Sequence, residues 1–558
     1  MDEVLPTSRR HLLDGSYTVA LLTVAIVIGY AVLAPAARAK PVPHTASVGV
    51  PVIAPTVTPV APAAAPMTPA VTAVTPAATS MAPPVTPLAP AAAPSAHEPV
   101  KSVAPVAPVS VHAVSIPAEP ARPRPELSPA APESMPSAPA KPVEPAVGHP
   151  WPSPTVTGRV LDNERKPLPG ASVVVRGVEV RADADGAFKL EHVPADAPLL
   201  VKLPGYEKVR VMPTRGAVEA VLRPQAIKAA YLTYFGIGDR GIRTRVLDLT
   251  ARTELNAVVI DVKGDRGWIL YRTEVPLALK IGAQGPGTLK DAVFDGMMAE
   301  FKARGIYTIA RIVTFKDNIL ATGRPDLAII DTRTGKPWID NEKLAWIDPF
   351  REEAWNYNIA VAQEAIRRGF DEVQFDYVRF PTDGRLGAAQ YARPNTKETR
   401  LPTIAGFLGK ARRELGASGA FVGADLFGYT AFNENDTDIG QRIEELAPHL
   451  DYICPMVYPS GYHKGIPGHP NPVLVPGKVV SESVRLIRKR SGTNVVQVRP
   501  WLQDFKDYAF DKRIFGVPEV QAQIRGAEEA GSMGWMLWNP RNDYTGPALR
   551  RKTDQASR

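Results

Sequence analysis

From Ala229 onward, apolar runs of strand length alternate with segments of helical length, and the alternation repeats eight times. The runs are Ala230–Phe235, Ala257–Asp261, Ile306–Arg311, Glu372–Asp376, Phe421–Asp425, Tyr452–Tyr458, Val495–Trp501 and Gly534–Trp538. A strand followed by a helix, repeated in this way, predicts an α/β fold, a (β/α)8 TIM barrel over residues 225–550. The helix before the fourth run shows the local logic. Asp348 and Pro349 suit a cap and first turn, and Glu352 and Glu353 suit the positive end of the helix dipole. Trp355, Ile359, Ala362 and Ile366 then form an apolar stripe, and Gly369 ends it. The long segment from about Thr314 to Ile347 carries its own turn signals and is expected to build one wall of a cleft.

In such a barrel, chemistry is done at the carboxyl ends of the strands. The stretch Phe370–Asp383 places one candidate there. Val373 and Phe375 point one way, while Gln374 and Asp376 point the other. Pro381 cannot donate to a ladder, so the strand should stop close by. Asp376 then lies at the strand's polar end. Asp261 ends the second run, Asp425 the fifth, Tyr458 the sixth, Trp501 the seventh and Trp538 the eighth. A single aspartate in this position is as readily a loop cap. Three on separate strands, joined by aromatic side chains, fit a carbohydrate site, where carboxylates supply the acid and nucleophile and aromatic faces stack on sugar rings. The residues therefore single out Asp376 and Asp425 as candidate catalytic carboxylates. Asp261, Arg379, Tyr458, Trp501 and Trp538 are candidate substrate contacts. Arg379 lies three residues beyond Asp376 and could supply positive charge to it; a structural ion pair is an equal alternative.

The sequence before the barrel falls into four parts. Residues 1–16 form a short N-terminal segment expected in the cytoplasm. Residues 17–37 carry no charge and are strongly apolar, just reaching the length of a bilayer-spanning helix. They read as an export signal or transmembrane anchor, and the preceding Ser8-Arg9-Arg10-His11-Leu12-Leu13 resembles a twin-arginine signal. Residues 38–153 are crowded with Pro and Ala and show no helical or strand period, which predicts a disordered, extended linker without a core. Residues 154–224 change to short β-branched runs with turn signals between them, as in a small β-sandwich. Together these features predict an exported protein, anchored to the membrane through its N-terminal helix, with its folded domains in the periplasm or outside the cell.

Composition narrows the function. The net charge of +8 is small for 558 residues and evenly spread, so no nucleic-acid partner is expected. One cysteine, Cys454, allows no internal disulfide and no cysteine metal cluster. The nine histidines are scattered. Neither a metal nor a cofactor is expected, which argues against a metal-dependent deacetylase.

Two resemblances extend this reading. Gly158-x-Val160, Pro169-Gly-Ala-x-Val173, Asp183-x-Asp-Gly-x-Phe188 and Gly205-Tyr206 resemble the carboxypeptidase regulatory-like domain, which implies a spacer or interaction module without catalysis. The barrel carries Val259–Asp265, Trp346–Phe350, Glu364–Pro381, Pro455–Ser460 and Trp535–Asn539. It resembles a family of bacterial glycoside-hydrolase-like barrels catalogued as a domain of unknown function, and more distantly the α-amylase-like hydrolases. That resemblance implies a fourth-strand Asp nucleophile, here Asp376, and an acid/base on the fifth strand, here Asp425 rather than the commoner Glu. A histidine expected after Tyr-Pro-Ser is replaced by Gly461, with His463 two positions later. The expected activity is hydrolysis of a polysaccharide outside the cytoplasm, with retention of configuration. A non-catalytic glycan-binding or envelope module on the same scaffold is the alternative.

Overall fold

The computed structural model describes residues 155–555, apart from 195, 214–216 and 493–494. The signal or anchor segment and the linker lie outside the described residues. Among the described residues, no helix is long and apolar enough to cross a membrane.

Eight parallel strands close into a barrel. In chain order they are Ile227–Leu232, Ala257–Lys263, Tyr307–Val313, Glu372–Asp376, Phe421–Phe427, Tyr452–Met456, a seventh split into Gln497–Val498 and Trp501–Gln503, and Gly534–Trp538. Each pairs with the next, and the eighth returns to the first. The alternation within the fourth strand is the one its sequence predicts. Val373 and Phe375 pack outward into the main core against the helices, whereas the Gln374 amide faces Met536 inside the barrel. The split in the seventh strand follows from Pro500, which has no N–H for the ladder. The expected continuous run Val495–Trp501 is thus two short pieces, with Trp501 opening the second.

The helix feeding the fourth strand spans Glu352–Arg367, and Gly369 ends it at a φ of 101°. Its start departs from expectation. Asp348 does not cap it; the Asp348 carboxylate accepts the N–H groups of Phe350 and Ala392, binding the turn before the helix to a later loop. The most deeply buried side chains are Ala354, Asn358, Ile359, Val361, Ala362 and Ala365, so Ile359 and Ala362 of the predicted stripe lie on the buried face while Trp355 and Ile366 sit partly exposed at its edge. The segment 314–347 packs beside the residue after Asp376, with Trp346 5.7 Å from Tyr377 between ring centroids. Its two-residue strand Ile330–Asp331 pairs antiparallel with Ala389–Gln390.

Residues 156–222 form two small sheets. One orders Ala187–Leu190, Val156–Asp162 and Val218–Leu222; the other orders Val178–Arg181, Ser172–Val175, Leu199–Lys202 and Val209–Val211. Their apolar side chains make one core. This unit is docked on the end of the barrel where the strands begin. Lys202 is 1% exposed, and its ammonium donates to the carbonyls of Ala420 and Gly416 at 2.5 and 3.1 Å. Lys208 donates to Asp371 O at 2.6 Å and lies over the Phe421 ring. The Gly205 N–H donates to the Tyr452 hydroxyl, and Arg412 pairs with Glu179. Gly419 is needed where the two parts meet, because a side chain there would strike Leu200.

Burial pushes the Lys208 ammonium down to about 8. Its folded value is below its unfolded one, so its burial penalty is relieved as pH rises from 8 towards 10.5. Replacing Lys202 by Met strands two carbonyls and should cost about 1–3 kcal/mol in urea denaturation. The substitution should leave the barrel's secondary structure intact by circular dichroism.

Candidate functional site

At the opposite end of the barrel, three carboxylates from three strands converge on one cation. Asp261 ends its run on the second strand, Arg311 lies beside it in register on the third, Asp376 ends the fourth, and Asp425 lies on the fifth. All four are at most 5% exposed. Arg311 Nη1 donates to Asp261 Oδ1 at 2.5 Å. Its Nε donates to Asp376 Oδ2 at 3.0 Å, and Nη2 bonds the same oxygen. The same Nε lies 3.8 Å from Asp425 Oδ2. One planar guanidinium thus touches all three acids, which its fixed fork of donors permits and a lysine would not.

The remaining oxygens are held separately. Asp376 Oδ1 accepts the N–H of Tyr377 at 2.6 Å. Tyr377 adopts a φ of 48°, a left-handed conformation uncommon for an aromatic residue. Such local strain is found where a site demands a particular backbone direction. Asp261 Oδ2 accepts the Tyr231 hydroxyl at 2.5 Å, and Asp425 Oδ1 accepts the Trp501 indole N–H at 2.7 Å. Asp425 Oδ2 is sealed from solvent without a hydrogen bond.

These surroundings set the charges. Burial, then the negative charge of Asp376, hold the Asp425 carboxyl well above the usual carboxylate range, against the opposing pull of Arg311 and of the Trp501 N–H. Burial also lifts Asp261, with Arg311 and Tyr231 pulling the other way. Burial would lower Arg311, but Asp261 and Asp376 more than reverse it and hold the guanidinium charged. The Tyr458 phenol is pushed well up, first by burial and then by Asp425 and Asp376, so it stands as a donor beside both acids. The arrangement therefore sets a carboxyl that holds its proton more tightly than usual next to one that accepts charge-assisted bonds, the contrast on which acid and nucleophile chemistry draws.

The aromatic side chains divide. Trp538 and Tyr458 are partly exposed at the rim. Trp538 stacks on Tyr231 at 4.0 Å, and the Arg311 guanidinium lies 5.1 Å from its ring centre. Trp501 is 1% exposed and stands edge-on to Tyr231 and Trp538, so it has no open face for a sugar. The expectation of a Trp501 platform is corrected: its contribution is the hydrogen bond to Asp425. Arg379 is corrected likewise. Its guanidinium donates to Phe380 O and lies over Trp346 and Tyr377, and no bond joins it to Asp376. The cation expected at Asp376 is Arg311. Asp261, Asp376 and Asp425 do meet, as their places at strand ends suggested. Among the described residues, no group of three or more His, Cys, Asp or Glu is placed to hold a metal ion.

Sequence reasoning missed Arg311 and Tyr231. The signal was present: Arg311 alternates with Ile309 onto the interior side of its strand, as Tyr231 does with Ala229.

The sequence model of the family described as "Putative glycosyl hydrolase domain" matches residues 229–544. No curated protein matches the chain. Among solved structures, a hypothetical protein from Ruminiclostridium thermocellum is 35% identical; the match covers 35% of this chain and 96% of that one, with a TM-score of 0.31. The glycoside hydrolase domain of PgaB (BpsB) from Bordetella bronchiseptica is 13% identical, covering 57% of this chain and 95% of that one, with a TM-score of 0.42. The chitinase ChiB from Flavobacterium johnsoniae is 12% identical, covering 58% and 91%, with a TM-score of 0.33.

Removing the shared cation should be costly. Arg311→Met leaves buried carboxylates without their counter-charge, and a loss of about 3–5 kcal/mol is expected at pH 7. Without the cation, the folded values of Asp261 and Asp425 rise further above their unfolded ones. The gap from the unsubstituted protein should therefore narrow as pH falls towards 5 and the acids take up protons, which urea titrations at the two pH values would show.

Proposed function

The chain belongs to this glycosyl hydrolase family, and on that premise we propose that it is a retaining glycoside hydrolase with Asp376 as nucleophile and Asp425 as acid/base. The observation that carries the proposal is the contrast between the two acids. Asp376 is held by a guanidinium and a backbone N–H. Asp425 is buried, lifted in pKa and left with one oxygen unpaired.

Spacing supports retention. Arg311 Nε lies 3.0 Å from one Asp376 oxygen and 3.8 Å from one Asp425 oxygen, so those oxygens are no farther apart than the two legs laid end to end. That limit includes the ~5–5.5 Å of retaining pairs and reaches only the lowest part of the ~6.5–9.5 Å that leaves room for water in inverting ones.

In the first step an Asp376 oxygen bonds to the anomeric carbon while the Asp425 proton passes to the departing glycosidic oxygen. In the second, Asp425 takes a proton from water. The water oxygen bonds to the anomeric carbon, and Asp376 leaves as a carboxylate. Asp261, oriented by Tyr231 and Arg311, accepts a sugar hydroxyl, and Trp538 and Tyr458 line the sugar's place. The predicted anchor and tether, together with the hydrolase site, support an envelope polysaccharide outside the cytoplasm as substrate. On this reading the two-sheet unit is the carboxypeptidase regulatory-like module, acting as the barrel's floor.

Asp376→Asn and Asp425→Asn should each lower hydrolysis of an envelope polysaccharide, the acid variant by about 10²–10⁴-fold, with folding retained. Proton NMR of the first product formed should show the substrate's own anomeric configuration. Inverted product would overturn the nucleophile role. Binding without turnover, unchanged in Asp376→Asn, would favour a glycan-binding module.

A further inference from the structure

The two oxygens of Asp425 occupy opposite environments. Oδ1 accepts the Trp501 indole N–H at 2.7 Å. Oδ2 has no hydrogen bond, is closed to solvent, and lies 3.8 Å from Arg311 Nε, the nitrogen that donates to Asp376. An indole N–H donates and cannot accept. A proton on Oδ1 would therefore set two donors against each other, whereas a proton on Oδ2 leaves the bond to Trp501 intact. Nor is Trp501 free to turn away. It is 1% exposed, opens the short strand after Pro500, and is held edge-on by Tyr231 at 6.2 Å and Trp538 at 5.5 Å. The groups facing Asp425 from the packed elements are Trp501, Arg311, Asp376, Tyr458, the Cys454 thiol in register on the sixth strand and, farther down the barrel, Arg499.

We propose that Trp501 is a positioning residue that keeps the proton of Asp425 on Oδ2, the oxygen beside the Arg311 Nε that also binds Asp376, by donating permanently to Oδ1. The proposal deepens the hydrolase reading and rests on it for its catalytic meaning. Acid and nucleophile must act on one glycosidic bond, so the proton is held on the side of the guanidinium that both acids share. With Oδ1 always engaged, Oδ2 is the oxygen left to exchange a proton; it is closed to solvent here, so seating the sugar must expose it before it delivers the proton to the leaving oxygen and later receives one from water. The N–H also favours the ionised carboxyl, opposing burial and the charge of Asp376, so the proton is held without being locked in place.

The test replaces the N–H and little else. Benzothienylalanine at position 501 keeps the ring shape with sulfur in place of the N–H; Trp501→Phe is the simpler companion. In the full chain labelled with carboxyl-13C aspartate, the Asp425 signal is assigned by its disappearance in Asp425→Asn. Its titration midpoint should rise by about one pH unit in the isostere, as a hydrogen bond to the charged form is lost. The basic limb of the pH profile of kcat/KM should rise with it. The rate should fall more for alkyl glycosides, whose leaving oxygen needs a proton, than for 2,4-dinitrophenyl glycosides, whose leaving group does not. An unchanged midpoint in the isostere overturns the proposal, as does an equal loss on both kinds of glycoside, which a purely structural role would produce. The titration needs no turnover. A raised midpoint in a protein that cleaves no glycoside would overturn the hydrolase reading and leave the proton's placement standing.

Discussion

Arg311 is the pivot of the molecule. Three carboxylates within a few ångströms, each almost without solvent, would repel one another strongly in a medium of low polarity. One guanidinium, bonded to Asp261 and Asp376 and close to Asp425, makes the cluster tolerable. It does so unequally. Asp376 receives two of its nitrogens, Asp261 one, and Asp425 only a longer approach. That inequality gives the three acids different electrostatic surroundings, and the proposed division between acid and nucleophile rests on it.

The barrel interior carries this polarity downward. Below the cluster, Gln374 reaches across to Met536, and the buried Arg499 pairs with Glu372, which also accepts the Tyr307 hydroxyl. A buried pair of this kind contributes little net stability, since desolvation consumes most of its attraction. The two-sheet unit covers the barrel from below, with Lys202, Lys208 and Gly205 bonded to the entry ends of the fifth, fourth and sixth strands. The module resembles a spacer in sequence, yet its contacts make it part of the barrel's structure.

Much of this was legible in the chain. Strands buried on both faces are near-continuous apolar runs, and turn and helix signals separate them, so the eight runs and the places of Asp261, Asp376 and Asp425 follow from patterning alone. What escaped depended on distances between strands. Arg311 sits in an apolar run and reads as a strand-end charge until its neighbours in register are known. Arg379 was favoured for its nearness in sequence, but the left-handed turn at Tyr377 carries the chain away and sends the side chain onto Trp346. Trp501 was read as a rim platform because the break at Pro500, and the rings on either side, have no signature in the order of residues. The docking lysines were equally hidden, since a lysine in a β-rich run is ordinarily a solvent-facing one.

The misreading of Trp501 and the oversight of Arg311 share a cause with physical content. At a barrel mouth, a side chain at a strand end either faces the ligand or supports one that does, and residue type does not decide between them. Burial does. Trp538 and Tyr458 remain partly open, and so are placed to meet a ligand. Trp501 and Arg311, with one or more hydrogen bonds to the acids and almost no exposure, act through those acids. A substitution at an open residue should chiefly change how substrate is held. At a closed one it changes the protonation and orientation of the three acids, even though the side chain has almost no surface of its own.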